Sequence, residues 1–178
     1  NHPEAEDILK ICQDFTPKVY IQTDRFETPV QDNQPSIRHQ GLLLEVHASF
    51  RLFGGEENLM WQLWERLNSK HANTPQANKL GSASTAWLAW CLGKTQPDRY
   101  LKNLMNLHLQ PCEQEEIERL PVQALDLSIP DRQLMLQCGF ETVGNLMRQA
   151  REELARCFGL RLLQQLDLLT GQGVFTPS

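Results

Sequence analysis

The stretch Gly41-Leu42-Leu43-Leu44-Glu45-Val46-His47-Ala48-Ser49-Phe50-Arg51-Leu52-Phe53-Gly54-Gly55 decides how this 178-residue chain is read. Its three consecutive leucines make Gly41 to His47 a strand too apolar for a half-exposed edge and suited to the middle of a covered sheet. Phe53-Gly54-Gly55 supplies a turn. Beyond it, Leu59, Leu63 and Leu67 recur at four-residue steps with Met60 and Trp64 alongside, and Glu56 and Glu57 stand where a helix dipole favours negative charge. Glu56 to Leu67 is therefore a helix, expected to lay its apolar face on the sheet.

Upstream, Ile8, Ile11, Cys12 and Phe15 give Pro3 to Phe15 one apolar helical face, which Thr16-Pro17 ends. Lys18 to Gln22 alternates as a short strand with Val19 and Ile21 on one side, and Thr23 to Gln40 is a polar loop. Downstream, Ser69 to Asn78 is polar, and Lys79 to Ala83 is expected as a third strand. Ser84 is the expected N-cap of an apolar helix from Thr85 to Leu92, closed by Gly93. A linking region, Lys94 to Pro111, holds a short helix around Tyr100 to Met105. From there the pattern is helical: Glu113 to Arg119, Asp131 to Gln137, Thr142 to Gln149, Arg151 to Phe158 and Leu160 to Leu169, separated by Pro, Gly and capping residues. The expected organisation is α+β, with a small sheet and helices on one face over 1–110, an all-helical domain over 111–172, and a tail over 173–178.

Composition narrows the function. The net charge is −5, and between Glu113 and Thr170 six Arg face ten Asp and Glu, a balance of −4. Proteins that grip nucleic acid unaided carry a surplus of Lys and Arg that displaces condensed counterions, so weak or no autonomous DNA binding is expected. Cys12, Cys91, Cys112, Cys138 and Cys157 form no C-x-x-C pair and read as apolar fillers in a reducing cytoplasm. No apolar run approaches membrane-spanning length and no signal region leads the chain. The start at Asn1 rather than Met reads as a fragment of a longer protein.

The helical part contains Leu120-Pro121-Val122-Gln123-Ala124-Leu125, then Cys138-Gly139-Phe140-Glu141-Thr142-Val143-Gly144-Asn145-Leu146-Met147, then Arg156-Cys157-Phe158-Gly159. In this order, and with the Arg51-to-Gly55 turn ahead of them, these runs resemble the palm and thumb of the Y-family (DinB/UmuC-type) translesion DNA polymerases, over roughly Glu4 to Gly171. The resemblance is strongest to the family's non-catalytic ImuB-type branch. It implies part of a palm followed by a thumb derived from helix-hairpin-helix units, with the first palm strand upstream of Asn1 and a short or missing finger region. Active members place an Asp-Glu pair at the start of the central strand, and those positions fall here on Gln40 and Gly41. A pair of Mg2+ ions roughly 4 Å apart needs several hard anionic oxygens, and Glu45 alone does not provide them. No cofactor is therefore expected; Mg2+ would enter only for an active polymerase. In the thumb, active members hold a phosphate with a Gly-x-Gly turn, whereas the corresponding run here is Leu127-Ser128-Ile129-Pro130-Asp131. Pro130 lacks an N–H and Asp131 repels phosphate, so that grip is expected to be lost.

The resemblance implies an adaptor in DNA-damage-induced mutagenesis and translesion synthesis rather than an enzyme. Its implied partners are a RecA-like ImuA-type protein, a DnaE-type error-prone polymerase and the sliding clamp. The rival readings are an active Y-family polymerase whose remaining acids lie outside this chain, and a small nucleic-acid-binding module. Gln165-Leu166-Asp167-Leu168-Leu169 resembles the Gln-Leu-Ser/Asp-Leu-Phe pentapeptide that bacterial clamp binders insert as an extended strand, but Leu162, Leu163, Leu166 and Leu169 also form a helical stripe, which is the favoured reading. Gln123 to Leu127 is a weaker version of the same pattern. Arg148, Arg151 and Arg156 are candidates for DNA contact, set against a self-neutralised face with a Glu152–Arg156 pair. His39 and His47 flank the central strand without an evident carboxylate partner, and Trp61, Trp64, Trp87 and Trp90 read as core residues rather than stacking platforms.

Overall fold

A computed structural model of the chain describes residues 3–24, 40–69, 80–95 and 113–174. Most of the polar loop after Thr23, the segment 70–79, the linking region beyond Thr95 with its expected helix, His39, Cys112 and the end of the tail lie outside these residues; Lys94 and Thr95 belong to the preceding helix. The contacts divide the chain into two compact units. One comprises residues 1–22, 40–80 and 177–178, and the other residues 23–39 and 81–176.

In the first unit, α1 (Pro3–Gln13) leads to β1 (Val19–Thr23), which pairs antiparallel with β2 (Gln40–Leu44). The pairing is extended by the Glu45 N–H, which donates to the Lys18 carbonyl at 3.1 Å. Thr16, buried behind Pro17, donates its hydroxyl to the Glu45 carbonyl at 2.7 Å and accepts from the Lys18 N–H, so the polar group at the bend is satisfied. After a 3-10 turn at His47–Ser49 come α2 (Phe50–Phe53) and α3 (Glu56–Ser69). Gly54 and Gly55 join them at φ of 80° and 114°, a conformation that side chains with a Cβ resist. α3 buries Leu59, Met60, Leu63 and Leu67, as its periodicity demands, and packs on α1 and α2. Phe15 stacks on Phe53 with ring centroids 4.8 Å apart, and the Arg66 guanidinium lies over Phe15 while pairing with Asp14 at 2.6 Å.

Three expectations for this unit are corrected. The central strand stops at Leu44 instead of His47, because the chain turns into the 3-10 segment at His47. Only Leu43 of the three leucines is buried, and among the described residues β2 has one pairing neighbour, β1. In β1 the buried side chain is Gln22, whereas Tyr20 and Ile21 are exposed, so the apolar alternation does not mark the inner face.

The second unit is built around α4 (Ala86–Thr95), in which Trp87, Leu88, Trp90, Cys91 and Leu92 are buried. The sequence reading groups this helix with the sheet. It packs instead on the 3-10 turn Val122–Ala124 and on α9 (Leu160–Leu169). Residues 80–83 form no strand: Gly81 presses on the C-terminal half of α4, where a Cβ would stand 2.4 Å from the Gly93 nitrogen and 2.5 Å from the Ala89 carbonyl oxygen. Gly93 thus serves close packing within α4 rather than closing it. The cap is also displaced by one residue. The Thr85 hydroxyl accepts from the Leu88 N–H at 3.2 Å, and Ser84 binds the Glu113 carboxylate.

The remaining helices fall close to their expected spans: α5 (Glu113–Arg119), α6 (Ile129–Gln137), α7 (Val143–Met147) and α8 (Arg151–Phe158) precede α9. Thr142 and Asn145 form a reciprocal cap on α7, and Gly144 lets α7 approach α5 so closely that a Cβ would meet the Glu118 carbonyl oxygen at 2.8 Å. Leu120, Val122, Leu125, Met135, Val143, Leu146, Leu162 and Leu169 fill the core between them, each worth about 1.5–3 kcal/mol of burial. Among the described residues no helix is long and apolar enough to cross a membrane.

Candidate functional site

β2 is the strand on which the resemblance places polymerase acids, and its geometry follows from the residues present. Gln40 is exposed at the start of the strand and Gly41 follows it, so neither position carries a carboxylate. Glu45, one residue beyond the strand, is held by Lys18, whose Nζ donates to both carboxylate oxygens at 2.9 and 3.0 Å. The hydrogen bond and the attraction of Glu45 raise the Lys18 pKa. The pair is exposed on both sides, so this end of the strand offers a cation a single carboxylate that is shared with an ammonium. His47 is exposed and meets Phe50 edge-on at 5.4 Å. Among the described residues, no three His, Cys, Asp or Glu side chains converge to hold a metal ion.

At the run that the resemblance aligns with a thumb turn, Ser128 caps α6. Its hydroxyl accepts from the Asp131 N–H at 3.3 Å and donates to the Asp131 carboxylate at 2.6 Å. Pro130 contributes no N–H, so the helix start is closed on its own side chains and presents an acid where a phosphate would approach.

The arginines named from sequence sit on an exposed face. Arg151 pairs bidentately with Asp167 at 2.9 Å through both terminal nitrogens, which raises its pKa further. Arg156 pairs with Glu153 rather than with Glu152, the i,i+3 partner winning over the i,i+4 one. Arg148 is exposed at the C-cap of α7. The clamp-like pentapeptide lies inside α9: Gln165, Leu166 and Leu169 are buried, and the Gln165 amide accepts from the Asp126 N–H at 2.7 Å and donates to the Asp126 carbonyl at 2.9 Å. These bonds use the side chain that an extended clamp ligand would offer. Ala124, Leu125, Asp126 and Leu127 of the weaker pattern are likewise buried. Trp87 and Trp90 are core residues as expected, but Trp61 is 46% exposed and stacks on Trp64 at 5.5 Å. Cys12 and Cys91 are buried fillers, and burial pushes their thiols up to about 11 and about 12; Cys138 and Cys157 are exposed instead.

One cluster escaped the sequence reading. Asp24, 5% exposed, accepts from the Trp90 indole N–H at 2.8 Å and pairs with Lys94 at 3.1 Å. Burial lowers the Arg132 pKa, an effect opposed by the charges of Asp24 and Asp126, and Asp126 also pairs with Arg161 at 2.7 Å. Charged residues distant in sequence leave no periodic trace, so only the lone acid between a strand and a polar loop could have hinted at Asp24.

The chain is similar to ImuB. It is 29% identical over 161 residues to the protein ImuB of Caulobacter vibrioides strain NA1000, and equally to that of strain ATCC 19089, matching 90% of this chain. The chain spans about 30% of the length of these relatives. No protein-family model matches it, and no solved structure does so significantly.

Proposed function

We propose that this chain is the palm-and-thumb part of a non-catalytic Y-family relative that acts as an adaptor in DNA-damage-induced mutagenesis and translesion synthesis. The observation that carries the reading is the state of β2. The positions of the polymerase acids hold Gln40 and Gly41, and the nearest acid, Glu45, is occupied by Lys18. Similarity to ImuB over 90% of the chain supports it. The self-capped start of α6 and the net charge of −5 agree with a protein that joins other proteins rather than holding DNA itself. On this reading the partners are a RecA-like ImuA-type protein, a DnaE-type error-prone polymerase and the sliding clamp. The test is co-purification of the tagged chain, and of a form extended at its C-terminus, with each purified partner. Stable complexes with at least one, together with no submicromolar binding of primer-template DNA at physiological salt, are expected. Tight, steeply salt-dependent DNA binding without any protein complex would overturn the reading.

A further inference from the structure

We infer that the outer face of α3 is a docking surface for a basic amphipathic helix of a partner protein. Successive α-helical residues step 100° around the axis, so Glu57, Trp61, Trp64 and Glu65 lie along one side, away from the buried Leu59, Leu63 and Leu67. Trp61 is 46% exposed, Trp64 is half-buried, and the two rings stack at 5.5 Å with an interplanar angle of 27°. A stacked tryptophan pair is a rigid apolar platform, and exposed Trp is the side chain most enriched among residues that dominate protein interfaces. The flanking charges define the occupant. In this unit Asp14 is paired with Arg66 and Glu45 with Lys18, whereas Glu57 and Glu65 are exposed and have no ion-pair partner among the described residues. Two uncompensated carboxylates bordering an apolar platform complement Lys or Arg bordering an apolar stripe, which is the pattern of an amphipathic helix laid in a groove or along a face. Nucleic acid does not fit, because the same carboxylates repel its phosphates. The surface is carried by α3 alone and does not depend on the adaptor reading.

The test uses a fluorescein-labelled Leu/Lys peptide of about five helical turns, titrated with the whole chain by fluorescence anisotropy at physiological salt. A Leu/Glu peptide of the same pattern and a scrambled Leu/Lys peptide serve as controls. The Leu/Lys helix is expected to bind, and Trp61→Ala is expected to weaken it by about tenfold or more, an ordinary interface-anchor effect. Glu57→Lys/Glu65→Lys is expected to exchange the preference towards the Leu/Glu peptide. Circular dichroism checks that each variant keeps the helix content of the parent chain. Absence of Leu/Lys binding, equal binding of the scrambled peptide, or unchanged affinity in Trp61→Ala would overturn the inference. Self-association of the chain that Trp61→Ala abolishes would overturn it too, and would assign the face to a second copy.

Discussion

Replacing Lys94 by Met removes the ammonium that faces the buried Asp24 carboxylate while keeping an apolar side chain of similar length on α4. The pair stands at 3.1 Å with side chains 8% and 5% exposed. At an effective dielectric constant near 20 its attraction is about 5 kcal/mol, and the carboxylate would remain in the interior after losing this cation. Lys94 also lies over the Trp87 and Trp90 rings at 5.9 and 5.7 Å, which adds a smaller loss. Breaking a buried pair from one side costs about 3–5 kcal/mol, and the charge of Arg132, felt by Asp24, places the expectation towards the lower end. That is a large share of the roughly 5–15 kcal/mol that holds a domain folded. Urea titration followed by tryptophan fluorescence in a Trp61→Phe/Trp64→Phe background reads the second unit selectively, because Trp87 and Trp90 both belong to it. The double variant Asp24→Asn/Lys94→Met should recover about 2 kcal/mol or more over Lys94→Met, since it removes the stranded charge. A cost under about 1 kcal/mol for Lys94→Met, or no recovery in the double variant, would refute the assignment of Asp24 and Lys94 as a buried pair.

Three further outcomes are expected. Gly144→Ala should destabilise the second unit by about 1–3 kcal/mol in the same titration, because the added Cβ meets the Glu118 backbone and α5 must shift. Gln165→Leu should cost about 1–3 kcal/mol by stranding the Asp126 N–H and carbonyl, and would not impair clamp binding if the pentapeptide remains helical; surface plasmon resonance against purified clamp checks the second point. Thiol labelling of the native chain at pH 8 should modify Cys138 and Cys157 while sparing Cys12 and Cys91, as mass spectrometry would show. Because burial raises the latter two thiols from 9.0 to about 11 and about 12, their protonated forms favour the folded state below pH 9, and that contribution is lost as pH rises through the folded values.

The helices of the second unit are legible because each carries its own punctuation. Ser128 and Thr142 cap, Pro121 and Pro130 start or stop, and Gly159 turns at φ 78° between α8 and α9. α3 is legible for a different reason, a leucine repeat that survives in the buried set. Lys79 to Ala83 misleads because five residues of mixed apolarity fit a strand locally, while the close approach of Gly81 to α4, which sets the path of residues 80–83, has no local signature. β1 misleads in the same way: Val19 and Ile21 alternate as an inner face should, yet Ile21 is exposed. At the candidate site, the absence of acids from Gln40 and Gly41 is written in the sequence. The engagement of Glu45 by Lys18 spans 27 residues and that of Asp24 by Lys94 spans 70, and such pairings emerge only once the chain is folded.

The proposal is that a polymerase-like strand has lost its chemistry, and Mg2+-dependent primer extension by the chain tests it most directly. No templated nucleotide incorporation above background is expected, with or without Glu45→Gln. Incorporation that requires Mg2+ and disappears in Glu45→Gln would contradict the account.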